Sequence, residues 1–438
     1  MEYAKLVKEG VIVVKLIQES ISFAFQQLKN DKFRTFLSLF GVTIGIFSIV
    51  AIFTAIDAME ENARKGLDEM NPNVIFVSQF PMAPETEISE DGTEVMAEFK
   101  WWEYMKRPIP SYNDFKFLSE HSGLADAVCM SVSSFQTVQY GRETVSRCNF
   151  YAISHDWPKV SSMNIELGRY FSADEGVKGS PVVILGYEIA RELFGGETDL
   201  NYALNKTIKL QGVTATVIGI LKKEGESMVR IIDNDNSLFI PLSFGKYFIN
   251  YKNASANIFL VPKENVAQEE LINETTVLMR GVRRLTPGAE NNFSVGSISF
   301  ITDIVGGIFS TISTVGWIIA AFSLLIGGFG IANIMFVSVK ERTNIIGIQK
   351  ALGAKRYVIL TQFLVESIFL ALAGGTIGIL IVCAIVAVMP DIDMFTARIS
   401  VSNIISGLVI AVVIGVVSGI IPAITGAKLN PVDAINSK

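Results

Sequence analysis

Four long apolar stretches constrain this chain more than any other feature. They cover residues 35–58, 308–339, 358–389 and 404–424, and each contains at most one charged residue. A helix needs about 20 apolar residues to cross about 30 Å of hydrocarbon. Hydrophobic residues make up 50% of the 438 residues, as expected for a chain that is largely embedded in lipid. The sequence therefore predicts a multi-pass α-helical membrane protein with four transmembrane helices.

The charges of the connecting segments indicate the orientation, because cytoplasmic loops carry an excess of Lys and Arg. Residues 340–357 contain five basic residues and one acid, whereas residues 390–403 contain two acids and one base. The first segment is therefore predicted to be cytoplasmic and the second external. Both termini then lie inside, with an amphipathic helix along the membrane at 1–34 and a tail at 425–438. The net charge of −6 argues against a nucleic-acid partner.

The region 59–305 has the composition of a globular domain and is predicted to be a large α+β extracytoplasmic domain between helices 1 and 2, with stalk helices at both ends. Its predicted strands cover 73–78, 182–185, 207–210, 214–221, 237–242 and 257–262, and its predicted helices cover 111–121, 186–194 and 266–285. It contains no nucleophile-elbow or zinc-binding motif, so we predict no catalytic site, metal or bound cofactor.

Some residues of this domain allow two interpretations. Cys129 and Cys148 are compatible with a disulfide or with two buried free thiols. Trp101 and Trp102 lie in a long excursion at 80–110, and we interpret them as anchors of the excursion rather than as a recognition surface. We interpret the acidic residues of the excursion as a solvated loop, and the two histidines of the chain as ordinary structural residues.

Small residues within the spans predict where the helices touch. Glycines separated by four positions let helix backbones approach closely in lipid. They are Gly41 and Gly45, Gly374 and Gly378, and Gly415 and Gly419. Glu366 is an acid within the third span, and we interpret it as an interfacial residue paired with Thr361, Gln362 or Arg356.

The cytoplasmic loop contains a predicted amphipathic helix at 341–352. Ile345, Ile348 and Leu352 recur at helical spacing, and Gly353 is a suitable residue to end the helix. Such an apolar face either lies on lipid or docks into a groove of a soluble partner.

Several segments, taken together, resemble a known family. The longest is GGFGIANIMFVSVKERTNIIGIQKALGAKRYVILTQFLVESIFLALAGGTIG at Gly327–Gly378. The others are DKFRTFLSLFGVTIGI at Asp31–Ile46, GRYFSADE at Gly168–Glu175, PVVILGYEIARELFG at Pro181–Gly195 and SGIIPAITGAKLNPVDAI at Ser418–Ile435. Their order along the chain resembles that of the MacB/FtsX-type ABC transporter permeases.

The resemblance implies a dimer of permeases in the bacterial inner membrane, each engaging a cytosolic ATPase that carries ATP and Mg. It implies that ATP hydrolysis moves the external domain without passage of cargo between the spans. The coupling role falls on ten residues of the cytoplasmic helix, namely Glu341, Arg342, Thr343, Ile345, Gly347, Ile348, Lys350, Ala351, Leu352 and Gly353. Two positions depart from the family pattern: Ile345 stands where an acid is common, and Gln349 where a base is common.

Two functions follow as hypotheses. The first is the permease subunit of an ATP-driven mechanotransmission complex that exports a substrate or extrudes a lipoprotein, with an external adaptor as a further partner. The alternative is a regulatory or sensory permease that controls an external partner such as a cell-wall hydrolase and moves no cargo. The chain contains no phosphate-binding loop of the G-x-x-x-x-G-K-S/T type, so we expect the ATPase to be a separate chain and this chain not to be an enzyme.

Overall fold

A computed structural model describes residues 32–81, 86–88, 94–96, 101–195, 200–251, 254–389 and 398–436. The predicted amphipathic helix at 1–34 lies almost entirely outside the described residues, as do residues 82–85, 89–93 and 97–100 of the excursion and most of the predicted loop at 390–403. The chain divides into two compact units. A membrane unit comprises residues 1–60 and 308–438, and an external unit comprises residues 61–307.

Four described helices are long and apolar enough to cross a membrane, which confirms the predicted fold class. They are α1 (Lys32–Asp68), α8 (Ile298–Glu341), α10 (Arg356–Val388) and α11 (Val401–Lys428). Helix α1 continues for ten residues beyond the apolar stretch, into sequence rich in charged residues. Helix α8 begins ten residues before its own stretch, in a segment that contains Asp303.

The interior of the membrane unit is formed by one side of each long helix. Val42 and Ile46 of α1, Met335 of α8, Phe363 of α10 and Ala411 of α11 belong to one buried apolar cluster. Their other sides carry exposed apolar residues, as expected for helices whose outer surface faces lipid. Less than half of each span is buried, and the buried share ranges from 22% in α11 to 44% in α1.

The external unit is built on one mixed sheet of ten strands. Their order is β12-β1-β11-β4-β5-β10-β7-β9-β6, and β8 pairs with β4 and β9. All pairs are antiparallel except β5 with β10 and β7 with β9. The strands are β1 (Ile75–Ser78), β4 (Ala125–Tyr140), β5 (Glu143–Ile153), β6 (Ile165–Gly168), β7 (Val182–Leu185), β8 (Thr207–Leu210), β9 (Val213–Leu221), β10 (Ser237–Pro241), β11 (Ser255–Pro262) and β12 (Ser294–Ser297). A separate hairpin pairs β2 (Thr86–Ile88) with β3 (Glu94–Met96).

Short helices connect or cover these strands. They are α2 (Trp101–Tyr104), α3 (Tyr112–His121), α4 (Ala173–Lys178), α5 (Tyr187–Phe194), α6 (Leu242–Gly245) and α7 (Gln268–Val282). Helix α3 begins with a capping box, in which Ser111 and Asp114 satisfy each other's backbone N–H groups. The six predicted strands and three predicted helices of this unit all lie within three residues of elements in the structure.

The β4–β5 hairpin is the largest element that the sequence analysis missed. It pairs Ser131 with Ile153 at one end and Tyr140 with Glu143 at the other, with a bulge between Gln136 and Val138. The bulge interrupts the alternation of apolar and polar residues, which is the signal that identifies a strand.

The sheet buries a separate apolar cluster on each face, and the two cysteines belong to different clusters. Cys148 belongs to the cluster that contains Phe150, whereas Cys129 belongs to the cluster that contains Trp157. Both thiols are free and buried. The structure therefore excludes the disulfide interpretation and gives two buried thiols. Burial raises the pKa of Cys129 to about 12, so this thiol stays protonated and unreactive.

Candidate functional site

The candidate site is the short segment between α8 and α10. Helix α8 ends at Glu341, and after a turn at Arg342 the helix α9 (Thr343–Ala351) begins. The Thr343 hydroxyl donates to the carbonyl oxygens of Val339 and Lys340 at 3.0 and 2.9 Å, which satisfies acceptors that the helix end leaves open. Gly353 has a φ of +98° and ends the segment, as its sequence position predicts.

One face of α9 is fixed to the end of the chain. Ile346 is 2% exposed, and a Cβ atom added at Gly347 would lie 2.9 Å from the Cβ of Ala434. Ala434 belongs to α12 (Pro431–Asn436), a helix that the sequence analysis left within a tail. The missed signal was Asn430 before Pro431, since asparagine caps helix N-termini and proline suits the first helical position.

Lys350 ties α9 to the last span rather than facing the solvent. Its ammonium group donates to the carbonyl oxygens of Ala427 and Leu429 at 2.7 and 2.6 Å, at the C-terminal end of α11. A cation is favourable there because the helix end carries partial negative charge. Burial and the neighbouring Arg356 lower the pKa of Lys350. Lys350, to which the resemblance assigns a coupling role, therefore bonds to carbonyl groups of this chain.

The opposite face of α9 is apolar and exposed. Ile345, Ile348 and Leu352 are 55%, 48% and 85% exposed, and their spacing places them along one side of the helix. Glu341, Ala351 and Gly353 are exposed beside them. The ten predicted coupling residues therefore separate into an exposed group and a group held by the chain itself, and we call the three large apolar residues the apolar face.

A buried ion pair connects the turn before α9 to the third span. The Arg342 guanidinium lies 3.4 Å from the Glu366 carboxylate, and their side chains are 17% and 1% exposed. The interpretation of Glu366 as a partner of Thr361, Gln362 or Arg356 is therefore wrong. Those residues precede Glu366 on its own helix, α10. Arg342 instead lies in the turn between α8 and α9, so the pair joins two different elements. Removing one partner of a buried pair leaves an uncompensated charge, which is strongly unfavourable.

The six glycines predicted as packing sites all lie against a neighbouring helix. An added Cβ at Gly45 would lie 3.2 Å from the Ser323 carbonyl oxygen, and one at Gly378 would lie 2.8 Å from that of Thr43. The other close neighbours are Gly327 for Gly41, Val42 for Gly374, Ile368 for Gly415 and Ser367 for Gly419. These contacts join α1 to α8, α1 to α10, and α10 to α11.

The side chains singled out in the external unit form no catalytic arrangement. Trp101 and Trp102 are 55% and 46% exposed, so the interpretation of these residues as anchors is wrong. Tyr104, one turn later, is the buried residue of that helix. His121 stacks on Phe117, as expected of a structural residue. Among the residues that the structure describes, no group of His, Cys, Asp and Glu could hold a metal ion.

The sequence matches two protein families in the expected order. Residues 35–278 match the MacB-like periplasmic core domain, and residues 317–431 match the FtsX-like permease C-terminal domain. The first match alone covers more than half of the chain. Together the two matches include α10, α11, most of α1, part of α8, every strand of the sheet except β12, and the segment between α8 and α10.

Individual proteins resemble this chain over different extents. The chain is 29% identical to the "Uncharacterized ABC transporter permease YknZ" of Bacillus subtilis, over 95% of this chain and 98% of that protein. It is 28% identical to the "Macrolide export ATP-binding/permease protein MacB" of Chlorobium luteolum, over 94% of this chain but only 59% of that protein. Among solved structures, the periplasmic region of MacB from Actinobacillus actinomycetemcomitans matches 55% of this chain and 95% of its own, at 16% identity and a TM-score of 0.42.

Proposed function

Because this chain belongs to the ABC transporter permeases that combine a MacB-like periplasmic core domain with an FtsX-like permease domain, we propose that it is the permease subunit of an ATP-driven mechanotransmission complex. In this proposal a separate cytosolic ATPase binds ATP and Mg and docks on the apolar face of α9. A second permease subunit completes a dimer. The work is done outside the membrane, by export or extrusion of a substrate or lipoprotein.

The observation that carries the proposal is the division of α9 into a fixed face and a free face. Ile346 and Lys350 hold the helix to the chain, while Ile345, Ile348 and Leu352 remain exposed. A segment that merely lay on lipid would not need to be fixed to the ends of two spans. A rigid helix with a free apolar face is suited to insertion into a groove of a soluble partner.

Contacts within the membrane unit support the transmission of force from α9. The Arg342–Glu366 pair connects its start to α10, and Lys350 connects its end to α11. A displacement of α9 by a docked ATPase would therefore act on two spans. Helices α1 and α8, which the glycine contacts couple to the rest of the bundle, continue without a break beyond their apolar stretches.

The extent of the relatives supports a separate ATPase. The MacB protein of Chlorobium luteolum is named as an ATP-binding and permease protein, and this chain spans 59% of its length. The YknZ protein is named as a permease, and this chain spans 98% of it. We propose that the ATP-binding part is supplied in trans, on the cytoplasmic side of the bacterial inner membrane, where both termini of this chain also lie.

Leu352→Asp is the sharpest test of docking, because Leu352 is the most exposed residue of the apolar face. In a groove the new carboxylate would be buried without a partner, which is costly. We expect the stimulation of ATP hydrolysis by the permease to fall at least about tenfold, since apolar anchors of interfaces contribute about 2 kcal/mol or more. The measurement is ATPase activity of the co-purified complex in nanodiscs, together with the amount of ATPase retained on the tagged permease.

Asn344→Asp is the matched control. It adds the same charge on an exposed residue of the same helix but removes no apolar side chain. We expect it to retain most of the stimulation and all of the bound ATPase. Equal stimulation by wild-type and Leu352→Asp permeases, with normal insertion of both, would contradict the docking proposal.

A further inference from the structure

The external unit contains a cavity that the docking and transmission described above do not use. It has a volume of about 690 Å³ and lies against one face of the sheet, over β1, β4, β5 and β11. This volume is within the range of about 300–1,000 Å³ that is typical of small-molecule sites. All of the described residues that line it belong to the external unit.

The strand register places apolar lining residues at one end of the cavity and polar lining residues at the other. At one end Phe76 pairs with Phe259, and the Trp157 ring meets Phe259 edge-on at a centroid distance of 5.1 Å. Two residues further along β11 and β4, Asn257 pairs with Ser131. These three aromatic residues are almost fully buried, so the apolar end is the floor of the cavity.

The polar end follows another two residues along the same strands. Ser255 pairs with Ser133, and Ser133 pairs with Tyr151. Burial and the nearby Asp233 raise the pKa of Tyr151, so its hydroxyl remains a donor. Because alternate residues of a strand share a face and rise about 3.4 Å each, the polar end lies about 14 Å from the aromatic end.

The lining has a further property that selects among ligands. None of the described residues that line the cavity is acidic or basic; the polar groups are hydroxyls and amides. A ligand with a charged head would therefore lose hydration without gaining an opposite charge from the described lining, and the nearby Asp233 would also repel an anionic head. A neutral head can exchange hydrogen bonds with water for bonds to these hydroxyls and amides.

We propose that this cavity binds an uncharged amphiphile, with its apolar chain against Phe76, Trp157 and Phe259 and its neutral head at Ser133, Tyr151 and Ser255. The distance between the two ends suits a chain of about ten carbons. The proposal is independent of ATPase docking, because binding is measured without nucleotide or partner. It assigns a ligand-binding role to the external unit in addition to any role in transmitting movement.

The test uses the full chain in nanodiscs and a monoacylglycerol whose decanoyl chain ends in a photoreactive diazirine. After irradiation, mass spectrometry of peptides locates the attachment. We expect labelling of the peptides that contain Phe76 and Phe259. The free fatty acid with the same chain partitions into the same lipid but carries a carboxylate. We expect it to label these peptides about tenfold less, because its charge meets no basic residue among the described lining and is repelled by the nearby Asp233.

Two variants fill the cavity from different strands. Ser133→Trp and Ser255→Trp place an indole at the polar end, and we expect each to lower the labelling about tenfold by occupying the site of the head. Ser255 is exposed, so its variant carries the test if Ser133→Trp fails to fold. Thr137→Trp adds the same side chain at an exposed position of β4 outside the cavity and is expected to label as the wild type does.

Labelling confined to the four long helices would overturn the proposal. So would equal labelling of the wild type and of a folded cavity-filling variant. Equal labelling by the fatty acid and the monoacylglycerol would overturn the assignment of a neutral head. None of these results depends on ATP hydrolysis, so a failure here is distinguishable from a failure of the proposed function.

Discussion

The external unit and the membrane unit reach a packed interior by opposite means. In the external unit large side chains fill both faces of the sheet, and Phe150 and Trp157 are at most 1% exposed. In the membrane unit the closest contacts occur at glycines, while large residues such as Phe329 are exposed. The solvent explains the difference, because water drives large apolar groups inward and lipid does not. A large apolar residue such as phenylalanine is therefore expected to stabilise the external unit more than the membrane unit.

The largest expected effect tests this contrast with the same substitution in each unit. Phe150→Ala removes a ring that is fully buried and should lower the free energy of unfolding of the external unit by about 3–5 kcal/mol. Phe329→Ala removes a ring that is 74% exposed and should change stability by less than about 1 kcal/mol. Hydrogen exchange of the full chain reports on both units at once. Similar losses of protection in the two variants would contradict the contrast.

A glycine comparison sharpens the same point, with effects of opposite sign. Gly378→Ala would place a Cβ 2.8 Å from a backbone oxygen of α1, so we expect it to lower the thermal stability of the membrane unit by about 1–3 kcal/mol. Gly281→Ala, on an exposed position of α7 with no atom within 4 Å of the new Cβ, should raise the stability of the external unit by up to about 1 kcal/mol. Melting curves followed by near-UV circular dichroism would measure both. A neutral effect at Gly378 would show that α1 and α10 can separate without loss.

The elements that could be predicted from the sequence are those whose signal is local. The four spans follow from uninterrupted apolar runs, and strands such as β7 and β8 follow from short runs of branched residues bounded by turn residues. The glycine spacing identified the faces that meet. The β4–β5 hairpin was missed because its bulge and its serine-rich strand break the local alternation.

The candidate site was predictable only in part, for the same reason. The apolar face of α9 is a local pattern, and the structure leaves it exposed. The partners of Lys350 and Glu366 come from elements far along the chain, and spacing within one helix cannot identify them. The exposure of Trp101 and Trp102 likewise depends on which residue of α2 turns inward, and that residue is Tyr104.

The smallest expected effect concerns a partly buried carboxylate and the dependence of stability on pH. In the membrane unit Glu366 has a basic partner, whereas Glu69 of the external unit faces other carboxylates. Burial, the carboxylates of Glu224 and Asp235, and a hydrogen bond with Glu224 raise the pKa of Glu69 from 4.5 to about 7, against the opposing effect of Arg230. The folded state therefore holds its proton more tightly than the unfolded state does.

It follows that the stability of the external unit decreases as the pH rises from about 4.5 to 7, because the folded state binds more protons than the unfolded state in that window. Glu69→Gln cannot ionise and should remove this part of the slope while keeping a hydrogen bond to Glu224. Glu264→Gln, at an exposed position, should keep the wild-type slope. Denaturant unfolding of the full chain at a series of pH values compares the three proteins. If the pH dependence of unfolding were the same in Glu69→Gln as in the wild type, Glu69 would not be the carboxylate that binds the proton. The external unit would then stabilise the charge of Glu69 by pairing it, as the membrane unit does for Glu366.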